Sequence, residues 1–242
     1  MTRKPDAQVE PEGALREAER RSTFLTTRFE RWALPRIAAA LPTAILPDHL
    51  TGLGVLAATG IAVGYALSNH DAAWLWLVNA CLVLHWLGDS LDGTLARVRR
   101  IERPRYGFYL DHLTDAYSTL AMGLGLGFSP YMLLSVGLAI VIGYYVLSIN
   151  VYLETHVFGQ FRYGYGVMGP TEARLVLIGL NLLAYFFGAL RFTWLDTSLT
   201  SFDLVGVAGV LGMGAMLMRR VLRNLGNLAR LEPVRRDNRP GA

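Results

Sequence analysis

Apolar residues run through this chain in blocks too long for ordinary core helices, separated by short polar joints. Six blocks approach the ~20 residues that a helix needs to cross the hydrocarbon core of a bilayer. They cover residues 49–68, 72–97, 106–128, 130–153, 170–190 and 202–222. Ahead of them, residues 14–41 change period. Phe24, Leu25, Phe29, Trp32, Ala33 and Leu34 alternate with Arg20, Arg21, Arg28, Arg31 and Arg36. An arginine-rich face opposite aromatic residues suits a helix lying in the membrane interface, the alternative being a cytosolic helix packed on the protein itself. Pro35, Pro42 and Pro47 then break or kink the chain before the first block. The pattern predicts an all-α integral membrane protein, six transmembrane helices preceded by an interfacial amphipathic helix. It divides into a disordered tail (1–13), the amphipathic helix and linker (14–48), a six-helix membrane domain (49–222) and a basic cytosolic tail (223–242). No second domain and no internal repeat is visible.

Composition agrees with that class. Of 242 residues 52% are hydrophobic and 17% charged, against about a quarter charged in a soluble domain. The single cysteine, Cys81, lies inside a block, which excludes a disulfide framework within one chain. The polar N-terminus has no apolar core of the kind a cleaved signal peptide carries. Lys4 is the lone lysine, and with the Ala and Gly content this hints at a GC-rich bacterial genome. All but one of the 23 Lys/Arg residues lie in the N-terminal region, in 97–105, at 162 and 174, or beyond 218. The joints at 69–71, 129 and 191–201 hold only Arg191. By the positive-inside rule, both termini and the 97–105 loop face the cytoplasm of a cell (inner) membrane. Gly123, Gly125 and Gly127 in the third block, and Gly206, Gly209, Gly212 and Gly214 in the sixth, are expected to let helices pack closely.

One stretch departs from the apolar pattern. Residues 88–115 read GDSLDGTLARVRRIERPRYGFYLDHLTD and place Asp89, Asp92, Asp111 and Asp115 at the mouths of the second and third blocks. A carboxylate at a membrane boundary is costly to desolvate unless it is paired or metal-bound. At about 100° per residue, Asp89, Asp92, Gly93, Ala96 and Arg97 share an arc of roughly 140° on one helix. Gly107, Asp111 and Asp115 form an i, i+4 stripe on the next. The short basic turn between them makes the two helices antiparallel neighbours, so the four carboxylates can converge. Oxygen ligands favour hard cations such as Mg²⁺, Mn²⁺ or Ca²⁺. Metal ions beside Gly, Ala and an arginine suit a diphosphate, with one carboxylate deprotonating an attacking hydroxyl.

The spacing D-x-x-D-G-x-x-A-R, nine residues, then G-x-x-x-D-x-x-x-D resembles the signature of the CDP-alcohol phosphotransferases. It is matched by Asp89, Asp92, Gly93, Ala96, Arg97, Gly107, Asp111 and Asp115. The six blocks and the preceding amphipathic helix also look like that family. The resemblance implies transfer of a substituted phosphate from a CDP-linked donor to a hydroxyl acceptor, with release of CMP, in phospholipid biosynthesis. It implies a site for Mg²⁺ or Mn²⁺, two ions, on Asp89, Asp92 and Asp111. Asp115 would be general base and a further metal contact. Asp89, Gly93, Ala96, Arg97 and Gly107 would line the CDP moiety. It also implies a homodimer; no nucleic-acid partner is expected. Two branches stay open. In one, CDP-diacylglycerol reacts with a polar alcohol; in the other, CDP-choline or CDP-ethanolamine reacts with diacylglycerol. The phrase YLDHLTDAYS and the Gly169-Pro170-Thr171-Glu172 opening of the fifth block resemble the second, and the chain length resembles bacterial members of the first.

Around this motif stand candidates for the acceptor or headgroup: His85, His112, Glu172, Arg174, Arg103 and Arg105. His85 precedes Asp89 by one turn and is equally readable as a buried structural histidine. Pro170 and Glu172 also suit the first turn of a helix as caps. Asn150 and Glu154 are read as lining the same cavity, and the cluster Arg99, Arg100, Arg103 and Arg105 is also explained by attraction to anionic lipid. Two rival classes are a divalent-cation transporter, which calls for acids through the membrane depth or in inverted halves, and a catalytically silent scaffold.

Overall fold

The structure, a computed structural model, describes residues 26–158, 169–194 and 196–233. The predicted tail 1–13, the first turns of the amphipathic helix with Arg20, Arg21, Phe24 and Leu25, Arg162, and residues 234–242 lie outside the described residues. Among those described, every predicted block is helical. Helix α1 (Thr27–Ala40) precedes α2 (Pro47–Leu67), α3 (Trp74–Arg99), α4 (Pro104–Gly127) and α5 (Leu134–Phe158). After α6 (Pro170–Phe187) come strands β1 (Arg191–Trp194) and β2 (Thr197–Thr200), then α7 (Ser201–Leu231).

Helices α2, α5 and α7 are long and apolar enough to cross a membrane. Helices α3 and α4 carry the motif's charges, and α6 carries Glu172 and Arg174 within its 18 residues, which lowers their apolarity. Helix α5 is shifted from the predicted 130–153 to Leu134–Phe158, and two further differences from the sequence pattern are larger. Helix α7 continues to Leu231, well past the sixth block, because in residues 223–231 Leu, Arg and Ala outnumber the weaker formers Asn224, Gly226 and Asn227 and no proline intervenes. The joint 191–201 is not a plain loop but an antiparallel hairpin, with Arg191 opposite Thr200 and Trp194 opposite Thr197. Its Phe, Trp and Thr residues favour extended backbone, and Asp196 takes the left-handed turn conformation at φ 61°.

The bundle is assembled on the α2–α3 hairpin. A Cβ at Gly88 would lie 2.6 Å from the Leu50 carbonyl oxygen and 2.8 Å from the Gly54 nitrogen. Backbone therefore meets backbone there. A second such approach joins α4 to α5, where a Cβ at Gly137 would sit 2.5 Å from the Gly123 carbonyl oxygen. Of the glycines expected in helix contacts, Gly123, Gly125, Gly127 and Gly206 are in them. Gly209, Gly212 and Gly214 instead face open space, because α7 packs mainly along α5 and its other face points outward.

Two apolar cores result. The larger, with Ile61, Tyr65, Leu75, Val78, Leu82, Tyr131 and Phe202, fills the end away from the motif. Inside it Asn181 of α6 donates to Asn79 Oδ1 at 2.8 Å and accepts from the Tyr65 hydroxyl at 3.0 Å. The smaller joins Leu34 and Ala38 of α1 to Leu50, Leu91 and Leu95. Helix α1 is thus seated on the protein by one face, while Phe29 and Trp32, 57% and 58% exposed, stand on the other beside exposed Arg28 and Arg31.

Gly88→Ala should cost about 1–3 kcal/mol of stability, since backbone has to shift. Gly212→Ala, in open space, should be neutral or slightly stabilising. Thermal unfolding in detergent, followed by circular dichroism, compares them; equal midpoints would refute the close-approach account.

Candidate active site

The carboxylates converge between the two cores. Oxygen atoms of Asp89, Asp111 and Asp115 all lie within 4.8 Å of one another. Asp92 lines the same cleft with Asp89, Asp115, Thr51, Gly54, His85, Thr114 and Ser118. Its Oδ2 accepts from Thr51 Oγ1 at 2.7 Å, so α2 holds this fourth carboxylate in place. The antiparallel geometry expected from the spacing is therefore present: α3 ends and α4 begins at this mouth, joined by a four-residue turn, 100–103, in which Arg100 takes the left-handed φ of 56°.

Three like charges this close repel strongly. At an effective dielectric of about 20, two carboxylates 4.8 Å apart repel by roughly 3 kcal/mol. One positive partner is in place: Arg174 Nη2 donates to Asp89 Oδ2 at 2.6 Å, and Arg174 is buried. A single guanidinium does not balance the cluster. The donor set is all oxygen, and buried His85, with no partner for Nδ1 among the described residues, borders it. These residues fit a hard divalent cation.

Arg174 reaches Asp89 because the start of α6 is fastened. Pro170 opens the helix, and Glu172 Oε2 accepts from the Gly169 N–H at 2.9 Å, capping the first turn. The other oxygen, Oε1, accepts from the Thr26 N–H at 3.0 Å and the Thr26 hydroxyl at 2.9 Å. Glu172 therefore clamps α1 to α6, with both oxygens engaged. A second tie repeats the link: Glu30 Oε1 accepts from Thr171 Oγ1 at 2.6 Å and Trp86 Nε1 at 3.2 Å.

The remaining sequence candidates separate. Arg97 is exposed at the mouth, 3.1 Å from Thr94 Oγ1. Half-buried Ala96 stands beside it. A Cβ at Gly93 would meet only the Arg97 guanidinium, at 3.5 Å, and one at Gly107 would meet nothing within 4 Å. Packing thus does not demand glycine at either position, although helix-interior glycine costs roughly 1 kcal/mol. Arg99 is occupied by the turn before α2, donating to the carbonyls of Leu41 at 2.9 Å and Pro42 at 2.8 Å. Arg103 pairs with Asp48 and stacks over Tyr106, 3.9 Å from its ring centroid. Arg105 stands exposed on the first turn of α4. His112 Nδ1 lies 2.7 Å from the Phe108 carbonyl oxygen and 3.9 Å from Asp111 Oδ2. Asn150 and Glu154 are absent from the aspartate cleft's lining; Asn150 donates to Glu154 on the same helix, and Glu154 accepts from Arg220 and Asn224 of α7, because Glu154 is turned to that helix. Thr51, Gly54, Thr114 and Ser118 escaped the sequence reading. Thr51 is 41 residues from Asp92, and nothing in its local pattern marks it.

A helical bundle with membrane-length helices and a carboxylate cluster able to hold a cation is the arrangement of a membrane protein with a candidate cation site. A sequence model of the CDP-alcohol phosphatidyltransferase family matches residues 44–217, most of the chain, and the protein belongs to that family. Its members are transferases that move a phosphate-linked group between a CDP-alcohol and an alcohol acceptor, and the family uses divalent metals. No curated protein sequence matches the chain significantly.

Glu172→Ala removes three hydrogen bonds at the α1–α6 clamp and should destabilise the protein by about 1–3 kcal/mol. Thr26→Ala, which removes only the hydroxyl, should cost less. Unfolding midpoints in detergent test the order; a wild-type midpoint for Glu172→Ala would remove the clamp from the account.

Proposed function

We propose that the protein is a divalent-metal-dependent enzyme of phospholipid synthesis that transfers a substituted phosphate from a CDP-linked donor to a hydroxyl acceptor and releases CMP. The observation that carries this reading is the convergence of Asp89, Asp111 and Asp115 within 4.8 Å, with Arg174 on Asp89. Asp89, Asp92, Asp111 and Asp115 would hold Mg²⁺ or Mn²⁺, and two ions bound there would neutralise the donor's diphosphate oxygens. Thr51 fixes Asp92, and Arg174 fixes Asp89, so both carboxylates are oriented before substrate arrives. The space at Gly93 and Gly107, with Ala96 and the exposed Arg97, accepts the CDP moiety. Asp115 takes the proton of the acceptor hydroxyl. The acceptor oxygen then bonds to the donor's β-phosphorus as the bond to the CMP oxygen breaks. Asp115 suits this role because it lines the inner cleft with His85 and Ser118. Donor and acceptor alcohol stay within the two branches that the motif resembles.

The same proposal includes six spans, α2 to α7. The apolar α2, α5 and α7 cross the bilayer, and α3, α4 and α6 cross beside them; short turns at 68–73, 100–103 and 128–133 join α2 to α5. The arginine distribution puts the aspartate mouth and both termini in the cytoplasm of the inner membrane. Phe29 and Trp32 then meet the interface as α1 lies on its inner face. A homodimer, implied by the family resemblance, completes the proposal.

Purified protein given Mg²⁺ or Mn²⁺ and a panel of CDP-linked donors and alcohols should release CMP, with the lipid identified by mass. Asp115→Asn should keep CDP and metal binding and lose CMP release; normal turnover would sink the base assignment. Gly93→Ala should fold as stably as wild type, or about 0.5–1 kcal/mol more so, yet bind CDP at least about tenfold more weakly. Unchanged CDP affinity would show that the space at Gly93 serves something else.

A further inference from the structure

Where α5 and α7 end side by side, their contact changes from apolar to polar. Glu154 and Arg220 are both buried and meet at two points: Arg220 Nε donates to Glu154 Oε1 at 2.9 Å and Nη2 to Oε2 at 2.6 Å. Asn150 Nδ2 and Asn224 Nδ2 each donate to Oε1 at 2.6 Å. The carboxylate thus accepts four hydrogen bonds, and its charge is balanced inside the contact. Beyond this knot the helices part around a cleft of about 450 Å³, lined by Glu154, Phe158, Arg223, Asn224, Asn227, Arg230 and Leu231. No residue of the aspartate motif lines it.

The charge of this cleft is one-sided. Glu154 is its one carboxylate among the described residues and is paired with Arg220. Arg223 and Arg230 are left as net positive charge. They are seven residues apart, with Asn227 between them, so the three fall on one face of α7, the face that lines the cleft with Glu154 and Phe158 of α5. Guanidinium forks and carboxamide donors on one wall suit the oxygens of a phosphate group. Phe158 and Leu231 add apolar surface for the carbon attached to it. Favourable interaction with the helix dipole would explain arginines in the last turn, but not a cleft of this size or its donor-rich wall.

Depth also fits. The Tyr145 hydroxyl donates to the Ala116 carbonyl at 3.0 Å and sets α5 alongside α4. Glu154, nine residues on, lies about 14 Å nearer the end where α4 begins. Helix α7, 31 residues long, spans about 46 Å, against ~30 Å for a hydrocarbon core, so its last turns reach headgroup level. We infer that the α5–α7 cleft is a second binding site, separate from the aspartates, for a phosphate-bearing polar group. A membrane lipid's head or a soluble phosphate ester presents the same chemistry.

The test uses full-length protein and the variant Arg223→Gln/Arg230→Gln. One arm reconstitutes both in phosphatidylcholine nanodiscs with about one part in ten phosphatidylglycerol and measures retained lipid by native mass spectrometry. The other measures the unfolding midpoint in detergent with and without millimolar inorganic phosphate. Wild type should retain phosphatidylglycerol at least about fivefold better than the variant, or gain at least about 2 °C with phosphate where the variant gains none. The first result assigns the site to lipid and the second to a soluble ester. Asn227→Asp, which puts a carboxylate between the guanidiniums, should give the same loss with both arginines kept. Equal lipid retention and equal phosphate response in wild type and both variants would overturn the site.

Discussion

The approach of α2 to α3 at Gly54 and Gly88 is the contact from which the rest of the structure is built. With no side chain between the two backbones, Thr51 comes within hydrogen-bond reach of Asp92, and Gly54 borders the cleft beneath Asp89. The large core at one end and the α1 core at the other both use α2 and α3 as their shared wall. Any side chain at residue 88 would push that wall apart. The carboxylates ride on α3 and α4, so such a change would be felt in the site as well as in the core.

Against that rigid frame stands an electrostatic imbalance. Three carboxylates in mutual reach face one buried guanidinium, and the arginine comes from α6, which contacts the motif's helices chiefly through α3. Its aim depends on the start of α6, hence on Glu172, and through Glu172 on Thr26 of the α1 end. The two sides of the amphipathic helix therefore differ. Its inner face and its N-terminal end help hold Arg174 on Asp89, while its outer aromatic and basic face stays exposed.

A comparable division occurs between α5 and α7. Glu154 and Arg220 satisfy each other with the help of Asn150 and Asn224, which makes a buried ion pair tolerable. The arginines beyond it, one and three turns further, have no such carboxylate beside them in the cleft among the described residues. Basic residues in this chain thus sort by partner. Arg99 holds turn carbonyls, Arg103 an aspartate of α2, Arg174 a motif aspartate and Arg220 a buried glutamate. In sequence they look alike.

That contrast marks what was legible beforehand. The apolar blocks, the helical faces of the four aspartates and their antiparallel placement follow from spacing alone, because the period of a helix and a short turn constrain them. The motif's Gly93 and Gly107 could be set apart as chemistry, and the structure finds no packing need for them. Spacing says nothing of contacts between distant helices. That Gly88 is required by packing and Gly212 is not, that Glu172 meets Thr26, and that Glu154 turns to Arg220 and away from the aspartates, depend on which faces meet across the bundle. Within a helix the sequence determined where the acids point; only the packing of helices decided which partners they find.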